Sequence, residues 1–293
     1  METRRNLAIE ALMEAAKLRS EKGISATEPV NVFDFATDTM EITVRFVDYP
    51  SMEATYLRKK GCQPTILISS LRPSGRQMFN CAHELGHHIF GHGTKIDEYI
   101  ADSNRIRNTD TEEFLANSFA SFFLMPKTLV SHAFYIRGWE PQKCSPEQVY
   151  IIAGWLGVGY STLVYHMRDS LHLVNGHKGG ELLRVRPKEL RAQFLGQLGR
   201  ENLIVVDSYW KDRAIDIEIG DFILLPPNMH FEGTSVHLVQ QNSGMTLYQG
   251  HLPGRSRFFN PINEWASYSR VSKRDFVGLS RYRYLEDPDY EHN

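Results

Sequence analysis

Two histidines and a glutamate stand at a spacing that can do chemistry: His83-Glu84-Leu85-Gly86-His87. On an α-helix, positions i and i+4 share one face, so both imidazoles can reach a single ion. Glu84 projects beside them, where its carboxylate can hold and deprotonate a water that the ion has made acidic. The chemistry is hydrolysis by activated water, and it needs a third protein ligand and one open position. A purely structural metal has no use for a carboxylate between its histidines. Met78, Phe79, Ala82, Leu85, Gly86, Ile89 and Phe90 surround the motif, so the helix reads as largely buried. Imidazoles and a carboxylate buried there are costly without partners.

The third ligand has several candidates. The metzincin pattern requires Gly and His where this chain has Phe90 and Gly93, so that class fails. His88 points about 100° away from His87 on a helix and is a poor ligand. His92, near the helix end, reads as a loop or capping histidine. Cys81 lies two residues before His83 and reads as core. The better source is the helix expected from Thr111 to Ser121, where Ala116, Asn117 and Ala120 form a small-residue stripe continuous with Glu113. Such a stripe lets two helices approach until a short carboxylate reaches a shared ion. Glu112 lies one step round, and Glu98 and Asp102 are rivals on spacing alone. Cys62, a lone turn cysteine, is a candidate latent thiolate ligand. Candidates for stabilising an oxyanion are His92, Tyr165 and His166, which the sequence does not separate.

The elements that must position these groups follow from periodicity. Leu7, Ala8, Ala11, Leu12, Ala15 and Leu18 predict a helix over 6–20, stopped at Gly23. A short helix is expected over 30–37, then strands at 42–47, 55–57 and 65–68, with Lys59-Lys60-Gly61 as a turn. Helices follow over 76–92 and 111–125, the second ended by Pro126. Residues 145–173 predict a helical block in which Ala153, Gly157 and Leu163 fit helix-turn-helix spacing. Its second helix, Tyr160 to Arg168, carries one firm positive charge, so packing or substrate gripping is preferred over DNA reading. Gly176, Gly179 and Gly180 suggest a linker. Beyond 200 the texture is β, with strands expected at 203–206, 214–225, 235–241, 245–251, 265–271 and 276–284 and a hairpin turn at Asn242-Ser243-Gly244.

Bulk properties set the class. The 293 residues suggest two domains or more, and a net charge of −2 argues against a surface tuned as a whole to nucleic acid. Three scattered cysteines, no long apolar run and no apolar leader predict a soluble cytoplasmic chain with no membrane partner. Near the C-terminus Arg255, Arg257, Trp265, Arg281 and Arg283 stand among further aromatics. Such texture can stack unpaired bases and track phosphates, although ordinary cross-strand pairing on a half-solvated sheet is the preferred reading.

The run from Arg76 to His87 with Gly91-His92, and the later Glu113–Ala120 ending in Leu124-Met125-Pro126, resembles the ImmA/IrrE metallopeptidase family. The resemblance covers about residues 5–130 and, more loosely, 145–173. It implies His83, His87 and Glu113 as zinc ligands, Glu84 as general base and one zinc per chain, with manganese as the alternative. It further implies cleavage of a helix-turn-helix transcriptional repressor in a stress or DNA-damage response. Asn80 and Leu115 depart from residues common in the family, at flanking positions. The expected architecture is α+β: a zincin-like metallopeptidase domain over 1–130, a helical HTH-like block over 131–178, and a β-rich regulatory domain over 179–293. That last domain would be GAF-like or a β-sandwich, sensing single-stranded DNA or a small molecule. Thr65, Ile66, Leu67 and Ile68 are expected to pair with an extended substrate by β-augmentation. The rival reading is a non-enzymatic DNA-binding regulator with a structural metal.

Overall fold

A computed structural model describes residues 3–93, 95–98, 111–196, 201–241 and 244–286. Asp102, Asn242 and Ser243 lie outside the described residues, as does the side chain of Glu98. The chain forms two compact units: Met1–Arg184 with Val277–Ser280, and Val185–Phe276 with Arg281–Asn293. The helical block expected as a separate piece is part of the first unit. No helix among the described residues is long and apolar enough to cross a membrane.

The first unit opens with α1 (Arg4–Glu21), whose Leu7, Ala11, Ala15 and Leu18 are buried. Asn31 caps the short α2 (Val32–Asp34), which runs into a π-helical turn. Three strands follow, β1 (Thr43–Val47), β2 (Met52–Leu57) and β3 (Thr65–Ser69), and then α3 (Ser74–Ile89), β4 (Lys95–Glu98) and α4 (Thr111–Leu124). The sheet order is β13-β1-β3-β2-β4, where β13 is Gly278–Leu279. The pair β1/β3 is parallel and the other pairs are antiparallel. Val44, Phe46, Ala54, Tyr56, Ile66 and Ile68 are buried, alternating along their strands as a sheet with one covered face requires. Helix α3 packs on β2 and β3, and α4 packs on both α3 and α1.

The helices α5 (Lys127–Ile136), α6 (Pro146–Leu156), α7 (Tyr160–Tyr165) and α8 (Gly176–Arg184) complete this unit. A capping box between Ser145 and Gln148 starts α6, and Gly157, at φ +72°, ends it. The glycine cluster at 176–180 is helix, not the expected linker. A Cβ at Gly179 would sit 2.6 Å from the Arg168 side chain, so the glycine marks close packing.

The second unit begins with α9 (Pro187–Leu195), which the sequence reading did not anticipate. Its strands are β5 (Leu203–Val205), β6 (Ala214–Glu218), β7 (Phe222–Leu225), β8 (His230–Glu232), β9 (Val236–Gln241), β10 (Thr246–Gly250), β11 (Gly254–Asn260) and β12 (Trp265–Ser272). They make two four-stranded sheets, β5-β7-β10-β9 and β6-β12-β11-β8. Tyr248 of the first sheet meets Phe231 and Phe258 of the second, each at 5.1 Å between ring centroids. Phe194 and Leu195 of α9 pack on Leu203, Phe222, Leu224 and Leu247.

Two strand expectations fail here. The stretch 214–225 is two strands in different sheets, broken at Gly220 (φ +90°), where the Asp221 carboxylate accepts the backbone N–H of Glu218 and Asn202. The stretch 276–284 is not a strand of this unit: Gly278–Leu279 pairs with β1 of the first.

One buried cation ties the first unit together. The Arg19 guanidinium, 4% exposed, donates to the carbonyls of Phe123, Ser25 and Glu28 at 3.0, 2.6 and 2.7 Å. It thereby joins the end of α1 to the end of α4 and to the loop between. Burial pulls its pKa down to about 10, still far above neutrality. Arg19→Met fills similar volume without donors. It is expected to lower stability by about 2–4 kcal/mol, because hydrogen bonds from a charged donor are lost and a buried carbonyl is orphaned. The denaturation midpoint followed by helical circular dichroism checks this, and an unchanged midpoint contradicts it.

Candidate metal centre

Helix α3 carries the motif because its burial is lopsided. Gln77, Cys81, Ala82, His83, Glu84, Leu85, Gly86 and His87 are buried, whereas the turn before them is partly open. His83 and His87 lie one turn apart with ring centroids 4.7 Å apart and their Nε2 atoms 3.0 Å apart. Glu113, in the first turn of α4, brings one carboxylate oxygen to 3.2 Å from His83 Nε2 and the other to 3.4 Å from His87 Nε2. These three residues are the group of metal-ligand type found among the described residues.

The spacing can be tested against an ion. Zinc bonds of about 2.0–2.1 Å in tetrahedral geometry set ligand atoms roughly 3.3 Å apart. Separations of 3.0, 3.2 and 3.4 Å fit that frame. Donation from His83, seconded by His87, holds the Glu113 carboxyl well below the usual carboxylate range, so it is available as an anionic ligand. Its side chain is 28% exposed while that of His87 is fully buried, so the open side of the site is the Glu113 side.

The close approach of the two helices rests on small residues. A Cβ on Gly86 would stand 3.0 Å from Ala116 Cα, and 3.2 Å from both the Ala116 carbonyl oxygen and the Phe119 ring. Ala116 and Ala120 are fully buried, as the small-residue stripe requires, but Asn117 is exposed and lies off it. Gly86 is the other half of this contact, a part of the motif whose smallness the sequence reading left unused.

Other candidates fall elsewhere. Glu84 is fully buried on α3 between the two histidines. Burial, and then the Glu84 charge, push the Cys81 thiol up, which makes it core and not a thiolate. His88 Nδ1 meets the Tyr56 hydroxyl of β2 at 2.7 Å. His92 Nδ1 lies 2.8 Å from His87 Nδ1, a contact with a metal-ligand candidate that the sequence reading missed. His166 Nε2 faces the Met125 carbonyl at 3.0 Å, and burial lowers its pKa to about 4. It is a neutral packing residue. Tyr165 and Cys62 are exposed.

Thr65, Ile66, Leu67 and Ile68 are a correction. They lie on β3, whose two edges are occupied by β1 and β2, so no extended segment can add there. Arg168, the cation of the helix-turn-helix reading, is clasped by Asp169 at 2.6 and 2.7 Å and lies over the Tyr165 ring. Trp265 is core, its indole N–H donating to the Ser208 carbonyl at 3.0 Å. Arg283 is buried against Glu218 at 3.1 Å. Neither can stack a base. Arg255, Arg257 and Arg281 are exposed, and Arg257 lies 3.7 Å from Glu232.

Two imidazoles from one helix and a carboxylate from the next form the ligand set of a hydrolytic metal site. Residues 37–165 match the family model Peptidase_M78, the IrrE N-terminal-like domain, which supports the ImmA/IrrE resemblance and a metallopeptidase-type first unit. No curated protein matches the chain. Among solved structures, a transcriptional regulator of Mycobacterium tuberculosis is similar at 18% identity over 55% of this chain and 48% of its own, with a TM-score of 0.34. This chain thus spans about half of that regulator's length. A cysteine protease inhibitor of Entamoeba histolytica is similar at 9% identity over 25% of this chain and 98% of its own, with a TM-score of 0.21. TM-scores this low do not establish a shared fold.

Gly86→Ala tests the helix contact. Alanine is intrinsically favoured over glycine in a helix by about 1 kcal/mol. Here its methyl group would push α4 outward at Ala116, one turn from Glu113, and draw the carboxylate off the imidazoles. Zinc affinity measured by chelator competition is expected to fall about tenfold or more, the scale set by disturbed support of a ligand. Unchanged affinity would show that the contact does not set the site.

Proposed function

We propose that the first unit is a zinc-dependent endopeptidase that cuts a specific protein. The observation that carries the proposal is the convergence of His83, His87 and Glu113 from two helices on one ion-sized point, with Glu84 buried between the two histidines. The substrate class implied by the family resemblance is a helix-turn-helix repressor, cleaved in response to stress. The donor set is neutral imidazole plus carboxylate, which suits zinc, with manganese the less favoured alternative.

A divalent ion held by His83, His87 and Glu113 would polarise the scissile carbonyl and acidify a water beside it. The protein groups do the rest. Glu84 takes a proton from that water on its carboxylate and returns it to the departing amide nitrogen. Glu113 stays ionised and closes the ligand set from α4. An extended substrate pairs with β4, which has β2 as its only neighbour among the described residues and so presents a sheet edge.

Glu84→Gln keeps size and removes the base. With the zinc-loaded protein and a helix-turn-helix repressor from the same genome, the variant is expected to retain zinc while cleavage slows about 10²–10⁴-fold, as loss of general-base catalysis does. Gel analysis of fragments and metal analysis of the protein read both quantities. Cleavage at the original rate by the glutamine variant would sink the mechanism.

A further inference from the structure

Helix α3 ends in a cap that places one particular residue on a metal-ligand candidate. Gly91 takes φ +69°, its N–H donates to the His88 carbonyl at 3.2 Å, and the His92 N–H donates to the His87 carbonyl at 2.9 Å. These are the two bonds of a Schellman motif, which lays the residue after the left-handed glycine against the residue five positions earlier. That contact is ordinarily apolar. Here it joins two imidazoles, Nδ1 to Nδ1 at 2.8 Å, with ring centroids 5.0 Å apart and planes at 62°.

His87 is fully buried, so its Nδ1 has no access to bulk water. Two facing ring nitrogens at this distance share one proton. The Nε2 of His87 is turned toward Glu113 and His83 and must be bare to bind an ion. The proton then belongs on His87 Nδ1, and His92 Nδ1 is the acceptor. The His92 ring is itself held: it stacks on Phe90 at 20°, and Phe90 packs edge-on against Phe119 of α4.

We propose that His92 is a positioning residue for His87, accepting its Nδ1 proton and so setting the orientation and tautomer that present Nε2 to the ion. The inference rests on the reading of His83, His87 and Glu113 as a metal site. It assigns His92 no contact with the ion or the substrate.

Two variants separate the acceptor from the packing. His92→Phe keeps a ring on Phe90 and removes the acceptor. His92→Asn gives up the ring but offers an oxygen near the position of Nδ1. Three quantities are read on the full-length protein: zinc affinity by chelator competition, the visible absorption of the cobalt-substituted form, and the melting temperature of the metal-free form. His92→Phe is expected to bind zinc about 10–100-fold more weakly, the range seen when an outer-shell partner of a histidine ligand is lost. Its cobalt bands should shift, while metal-free melting stays at the wild-type value. His92→Asn is expected to restore affinity and cobalt bands to near wild type. Wild-type affinity in His92→Phe overturns the proposal, and so does an equal loss in both variants, which would reduce His92 to packing. A wild-type protein that takes up no zinc removes the metal-site reading itself and is scored before any variant.

Discussion

The site depends on how closely two helices can lie. Glu113 carries a short side chain, and it reaches both imidazoles only because α4 approaches α3 at backbone distance. Gly86 and Ala116 are the meeting point, with Phe119 filling the groove beside them. A helix pair normally sits about 8–10 Å apart, with the lower end reserved for small residues. The motif glycine therefore has a structural role of its own, beside the candidate ligand histidines. At the C-terminal end of α4, two turns beyond Ala116, Arg19 grips the Phe123 carbonyl, so α4 is held by a close contact and a charged clasp.

Helix α3 must also be held in register, and β2 does this at two points. The Glu53 carboxylate accepts from Asn80 at 2.8 Å and pairs with Arg72 at 2.9 Å. Further along the strand, the Tyr56 hydroxyl meets His88 at 2.7 Å. Asn80 lies before His83 and His87 and His88 directly after them, so the stretch carrying the candidate site is anchored at both ends. Burial raises the Tyr56 pKa and lowers that of His88, which keeps both neutral near pH 7 and suits an uncharged hydrogen bond. The sequence reading took Asn80 as a flanking departure and His88 as a poor ligand. Neither belongs to the candidate ligand group, but each fastens α3 to the sheet.

The legible parts of the chain are those whose signal is local. Helical periodicity delivered α1, α3 and α4, and the spacing of His83 and His87 put both rings on one face. Glu113 was legible as the continuation of a small-residue stripe with Glu112 one step round, and the resemblance selected the same residue. What escaped depends on distant partners. Strand β11 presents Gly254, Ser256 and Phe258 inward, and Ser256 bonds Ser235 at 2.7 Å. A polar inner face hides the alternation that marks a strand. The glycines of α8 looked like a linker because the Arg168 stem that Gly179 accommodates is not adjacent in sequence. Thr65–Ile68 looked like a substrate edge because hydrophobic alternation cannot say whether a strand is central or at the rim. Even His92 had a local signal, Gly91 at the end of a helix, which by the rules of helix capping sets residue 92 against residue 87.

The C-terminal arginines show a different limit. Composition registers cations and aromatics but not the acids opposite them. Arg270 is bidentate to Asp216 at 2.6 Å on both bonds and lies over Tyr284, Arg274 reaches Asp221, and Arg283 is buried on Glu218. Pairs of this kind bind strands to one another and to the 281–284 segment within the second unit, whereas Arg255, Arg257 and Arg281 stay exposed. The same stretch of sequence also bears on where the first unit ends. Val277–Ser280 belongs to the first unit, with β13 paired to β1 and Ser280 Oγ 3.1 Å from Thr37 Oγ1, although it lies between the second unit's two segments in sequence. A boundary drawn near residue 179 would therefore remove an edge strand from the first unit's sheet and bare the backbone of β1, the kind of unpaired edge that invites association with other chains. The first unit's sheet includes its β13 edge only when Val277–Ser280, beyond the second unit's last long strand, is counted with that unit.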